Sequence, residues 1–168
     1  MKKLLFGLLL TSILISACEP KKQNTTTTEN DGYVLNKSKN IEYAKKTLIS
    51  CSKYDLDTYK SLYADSVIFY DNAAKETLAQ NVAIFNAMKA KGLEIRLDTI
   101  YNAFETVDKV ADPKTGAKNY IHIYCQLTFS KGDKKVVIPF YQANALKDGK
   151  IIREYDYYDA SGLADLMK

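Results

Sequence analysis

"KYDLDTYKSLYADSVIFYDN", residues 53–72, sets the reading of the whole chain. After Asp55, the residues Leu56, Tyr59 and Leu62 recur every third position, which aligns them on one face of a short helix. Val67 to Tyr70 follow as an apolar and aromatic run of strand-forming residues that stops at Asp71. The stretch predicts a short helix feeding a strand that ends in an acid. Asp71 is then either a general base at the mouth of a pocket or an acid that ends a strand or caps the next helix.

On the N-terminal side, Ile41, Ala44, Leu48 and Cys51 recur at spacings of 4, 3 and 4, a helical stripe with Ser38 or Asn40 available as N-cap. On the C-terminal side, "ETLAQNVAIFNAMKAKG" (76–92) places Leu78, Val82, Phe85 and Met88 on one helical face, and Gly92 ends the helix. Beyond Gly92 the period changes. "LEIRLDTIYNAFET" (93–106) is strand-like. "NYIHIYCQLTFS" (119–130) alternates, with Ile121, Ile123, Cys125, Leu127 and Phe129 on one face and Tyr120, His122, Tyr124, Gln126 and Thr128 on the other. "KKVVIPFYQANAL" (134–146) and "KIIREYDYYD" (150–159) complete a meander, with Pro113 and Gly116, Gly132, and the Asp148-Gly149 pair marking the turns. Pro139 within a strand requires an edge position or a bulge. Helices first and an antiparallel sheet afterwards give an α+β domain.

The chain opens "MKKLLFGLLLTSILISACEP": two lysines, an uncharged apolar run from Leu4 to Ala17, then Cys18 after small residues. That run is short for a membrane span of about 20 residues and has the layout of a secretory leader. Ile15-Ser16-Ala17-Cys18 resembles a bacterial lipobox, which implies cleavage before Cys18, acylation of Cys18, and a location in the cell envelope, anchored to a membrane and facing outside the cytoplasm. Residues 1–17 are thus read as signal peptide, 18–37 as a flexible tether with a four-threonine run, and 38–168 as one domain. Loss of Lys2 and Lys3 takes the net charge from +4 to +2 on the 151 residues that remain (168 − 17). A charge so near neutral gives no electrostatic case for nucleic acid. Cys51 and Cys125 are left either to pair with each other or to remain buried free thiols.

In element order, and in the stretches 53–72, the helix beginning near Glu76, and "GKIIREYDYYDASGL" (149–163), the sequence resembles the nuclear transport factor 2-like superfamily, in its SnoaL-like polyketide cyclase and ketosteroid isomerase branch. The resemblance spans roughly residues 38–168. It implies N-terminal helices packed in a strongly curved antiparallel sheet, a conical α+β barrel with a pocket at its open end. It also implies that a carboxylate at the end of the first strand serves as base in isomerase-like members, with a Tyr and a second acid holding the oxyanion.

Asp71 falls at or one residue past that base position, with Tyr70 beside it, and one residue of slippage would reverse its face. Tyr141 stands near the oxyanion position, where the paired acid is missing; Asp156 and Asp159 are the nearby carboxylates in sequence. The ligand-binding candidates are therefore Tyr70, Asp71, Tyr141 and Asp156, and the catalytic candidates Asp71 and Tyr141. His122, the single histidine, lies on the more polar strand face and is read as a solvent or dimer contact. Without clustered Cys or Asp around it there is no metal site, and no Gly-rich loop or nucleophile elbow points to a cofactor. The thirteen tyrosines suit half-buried strands. The expected function is a lipid-anchored envelope protein whose conical cavity binds a small apolar or amphipathic molecule without catalysis, and which forms a homodimer through the sheet back. The alternatives are an isomerase or cyclase using Asp71 for proton transfer, and an interaction subunit of an envelope assembly.

Overall fold

The computed structural model describes residues 32–167. Cys18, the leader and most of the tether lie outside the described residues. Four helices accompany one seven-stranded sheet: β1 (Tyr33–Leu35), α1 (Lys39–Ser52), α2 (Leu56–Ser61), β2 (Tyr63–Asp71), β3 (Ala74–Thr77), α3 (Leu78–Ala90), β4 (Glu94–Val107), β5 (Asn119–Lys131), β6 (Lys134–Lys147), β7 (Lys150–Tyr157) and α4 (Leu163–Met167). The sequence reading places the tether as far as residue 37. Tyr33–Leu35 instead form β1, which pairs with the end of β4, so backbone pairing there does what their side chains alone do not predict.

The strand order is β1-β4-β5-β6-β7-β2-β3, an open sheet rather than a closed barrel. It is also mixed, not wholly antiparallel as the sequence reading has it. β2 runs parallel to β7, because the chain enters β2 from the α2 helix end and reaches β7 only after three long antiparallel strands. Register shifts between Leu97 and Thr99, Ile100 and Asn102, and Ala145 and Leu146 mark bulges that bend and twist the long strands.

Local chemistry explains the helices. Ser38 Oγ accepts from Ile41 N at 3.0 Å and starts α1. Asp55 caps α2 in the same way, through Thr58 N. Thr77 begins α3 with a capping box: its hydroxyl accepts from Gln80 N, and the Gln80 side chain accepts from Thr77 N at 2.9 Å. Gly92, at φ +73, ends α3. Pro139 pairs with Gln126 on one side, while β7 begins to pair with β6 only at Tyr141, so the proline's missing N–H falls on a locally free edge.

Alternation along β5 sets which face is the core. Ile121, Ile123, Cys125, Leu127 and Phe129 are buried and pack with Ile41, Ala44 and Leu48 of α1, Tyr59 of α2, and Phe69 of β2. The opposite face carries Tyr124, which is exposed, and His122, which is half-buried.

Candidate functional site

The interior face of the sheet is not wholly apolar. Period-two alternation puts Phe69 and Asp71 of β2 on it, and the parallel register sets Phe69 beside Glu154 and Asp71 beside Asp156. On the other flank of β7, Asn144 stands opposite Glu154 and Gln142 opposite Asp156. Three carboxyls and two amides from three neighbouring strands therefore share one face.

Their bonding is partly complete. Tyr63 Oη donates to Glu154 Oε2 at 2.7 Å, and Asn144 Nδ2 donates to Gln142 Oε1 at 2.9 Å. Thr47 of α1 brings its hydroxyl within 3.0 Å of the same Gln142 oxygen. Tyr158, just past β7, packs its ring 5.2 Å from that of Phe140 and donates to Asp71 Oδ2 at 3.0 Å. The Asp156 carboxyl is hydrogen-bonded to Gln142 and Glu154, but two buried oxygens of the cluster, Asp156 Oδ1 and Asn144 Oδ1, have no partner of their own. An unmet buried acceptor is costly, and a donor supplied from outside the protein would relieve it.

Electrostatics follow from burial. Removal from water pushes the Glu154 carboxyl up to about 7, against the opposing hydrogen bond from Tyr63. Asp156 is raised well above the usual carboxylate range, first by burial and then by the neighbouring charges of Glu154 and Asp71. Burial raises Asp71 too, while the Tyr158 hydroxyl holds it back. Near neutral pH the cluster therefore retains protons, and its members act as donors as well as acceptors. Among the described residues no group of three or more His, Cys, Asp or Glu side chains is placed to hold a metal ion.

The sequence-predicted residues divide between the two faces. Asp71 and Asp156 come together inside. Tyr141 does not join them, because its register partners are the exposed Tyr124 and Tyr157, and its hydroxyl lies 2.7 Å from His122 Nδ1 on the outer face. Tyr70 is also outside, stacked on Tyr155 with ring centroids 4.9 Å apart. The pairing of Asp71 with Tyr141 as base and oxyanion donor is thus excluded by strand parity, and Tyr158 takes the hydroxyl position beside Asp71. Nor does Asp71 cap α3, a role held by Thr77. Cys51 and Cys125 are free thiols, one partly and one fully buried.

Tyr158, Glu154, Gln142 and Asn144 are absent from the sequence-derived site. A signal for three of them exists in the alternation of "REYDYY" and "YQANA", which puts Glu154 with Asp156 and Gln142 with Asn144 on single faces. Polar residues at every second position of otherwise buried strands need partners, and that need marks an internal network.

Solved structures share this fold. A nuclear transport factor 2-like protein from Burkholderia xenovorans matches at 14% identity and TM-score 0.55, covering 77% of this chain and 95% of that one. A protein of ketosteroid isomerase-like fold from Catenulispora acidiphila, in complex with trimethylamine, matches at 15% identity and TM-score 0.54, over 75% and 92%. The fold is that of the nuclear transport factor 2-like proteins. An LEH-like epoxide hydrolase from M. tuberculosis matches as well, at 17% identity and TM-score 0.53 over 76% of this chain and 87% of that one. No family model and no curated protein matches the sequence. A fold shared at these identities fixes the scaffold and leaves the chemistry to the side chains.

Proposed function

We propose that the protein is a lipid-anchored component of the cell envelope, held to a membrane through Cys18, whose cone interior binds a small amphipathic molecule without catalysing its conversion. The observation that carries the binding step is the pair of unmet acceptors, Asp156 Oδ1 and Asn144 Oδ1, on an interior face otherwise walled by Phe69, Cys125 and Phe140. An apolar wall with a few unsatisfied polar groups suits a ligand with an apolar body and a donor head. Among the described residues no Lys or Arg is a register partner of Asp71, Glu154 or Asp156 on β2, β6 and β7, so an ammonium or hydroxyl head suits the cluster better than a carboxylate.

Calorimetric titration with decylamine, decanol and decanoate tests the reading. Binding of the amine and alcohol, weakened by Asp156→Asn for the amine, supports it. Preference for decanoate contradicts it.

The enzyme alternative survives only in altered form, with Asp71 as the proton-transfer group and Tyr158 in place of Tyr141. A dimer through the sheet back has its own support. Phe104, His122, Tyr141 and Tyr157 stack in sequence across the outer face of four strands, and Tyr124 and Tyr157 stand 44% and 52% exposed. An exposed aromatic row of this kind suits a self-complementary interface. Sedimentation equilibrium of wild type and Tyr157→Asp decides it, with loss of dimer in the variant as the expected outcome.

A further inference from the structure

The end of the sheet from which the N-terminal segment departs carries a groove of ≈ 290 Å³. Three segments meet there: the beginning of β2, the loop joining β4 to β5 with Lys114 and Thr115, and the β6–β7 hairpin with Lys147 and Lys150; Arg153 of β7 completes the lining. Four cationic side chains thus line one groove, against a single carboxylate, Asp148.

None of the four takes part in the ion pairs found among the described residues, which join Lys45 to Glu42, Lys60 to Asp57 and Arg96 to Asp98. Lys150 donates to the Ser61 carbonyl and Arg153 to the Ile152 carbonyl at 2.6 Å, so both are oriented by neutral groups that leave their charge uncompensated. The backbone holds the cations close. Asp148 and Gly149, at φ 51 and 73, form the tight turn that makes Lys147 and Lys150 direct partners across the hairpin. Gly116, at φ +74, has no side chain where Lys147 Nζ lies: a Cβ there would come within 2.9 Å of it. Asp148, and Asp112 beside Lys114, offset only part of this charge; the cations in excess repel one another, and an oxyanion bridging several of them converts that repulsion into charge-assisted hydrogen bonds.

We infer that this groove binds a phosphate-type oxyanion. Its placement points to a source. Tyr33 of β1 pairs with Val107, the last residue of β4, and the loop carrying Lys114 follows Val107 directly. The described chain therefore begins at the same end of the sheet as the groove. The 14 residue-to-residue steps from Cys18 to Gly32 (32 − 18) reach at most about 50 Å, so an acylated Cys18 would keep this end of the domain within reach of lipid headgroups. That lipid source, unlike the groove itself, rests on the anchoring proposed above.

The test uses the full chain with Cys18→Ser, so that acylation plays no part. It is titrated calorimetrically with inorganic phosphate and co-sedimented with vesicles of phosphatidylcholine, with and without phosphatidylglycerol. The expected result is saturable phosphate binding, weakened about tenfold or more in Lys147→Gln/Arg153→Gln and unchanged in Lys134→Gln/Lys135→Gln, a pair on the hairpin at the opposite end of the sheet. Preferential sedimentation with phosphatidylglycerol, lost in the first variant alone, names the lipid as source; phosphate binding without that preference names a free anion. No saturable phosphate binding, or equal loss in both variants, overturns the site. Mass spectrometry of the N-terminus of the wild-type protein tests anchoring separately, so the two failures are distinguishable.

Discussion

Asp71 and Asp156 are register partners on adjacent parallel strands, and both carboxyls belong to the interior face of the sheet. Two acids brought together away from water cannot both ionise freely, and Glu154, two residues along on the same face, adds a third.

The first consequence is a pH dependence of stability with an unusual sign. A carboxyl with a folded pKa above its unfolded value binds protons more tightly when folded, so its contribution is full below the unfolded value and is lost as pH rises through the folded one. For Glu154, raised to about 7, the loss falls between the ordinary carboxylate range and about pH 7. Urea unfolding of wild type should show this fall relative to Glu154→Gln, which keeps an acceptor for Tyr63. The two should agree near pH 4 and the variant should be the more stable near pH 8. Equal slopes would place Glu154 in water.

Removing the Tyr158 hydroxyl should move Asp71 further up, because that hydrogen bond is the influence that lowers it. Carbon-13 NMR titration of the Asp71 carboxyl in Tyr158→Phe reads the direction of the shift. An unchanged titration would mean that the contact is not made in solution.

Binding of a cationic amphiphile should strengthen from pH 5.5 to 8, as the interior acids lose their protons and gain attraction for an ammonium. Decanol affinity should change little over that range. Tyr141→Phe, altering only the outer face, should leave both affinities as in wild type while shifting the His122 titration.

Phe69 is fully buried beneath the carboxyl cluster, its ring 5.0 Å from Tyr63 and 6.5 Å from Tyr59. Phe69→Ala should cost about 3–5 kcal/mol by cavity formation and lost transfer energy. Thr77→Ala, which removes one side of the α3 capping box, should cost about 1 kcal/mol. Chemical denaturation checks both magnitudes.

Much of this architecture is legible in the residues. The stripe of Ile41, Ala44 and Leu48, the alternation of Ile121 to Phe129, and the Asp148-Gly149 turn each express one local rule, and each appears where that rule places it. The parallel β2–β7 pairing is not legible, since it depends on which edge the chain reaches after a long excursion. β1 escapes for a related reason: three residues carry no period, and their order comes from the free edge of β4. The site was half visible. Asp71 is readable as a strand-ending acid, but its partner is chosen by strand parity. Tyr141 and Gln142 are neighbours in sequence and face opposite sides, and only the register with Asp156 shows that the amide, not the phenol, shares the interior with the acids.

The most direct measurement is a crystal structure of the protein purified from cells, read at Asp156 Oδ1. Electron density for a small amphipathic molecule is expected in the interior, with a donor atom within about 3.2 Å of that oxygen. An interior filled by side chains alone, with Asp156 and Asn144 satisfied by protein groups, would contradict this expectation.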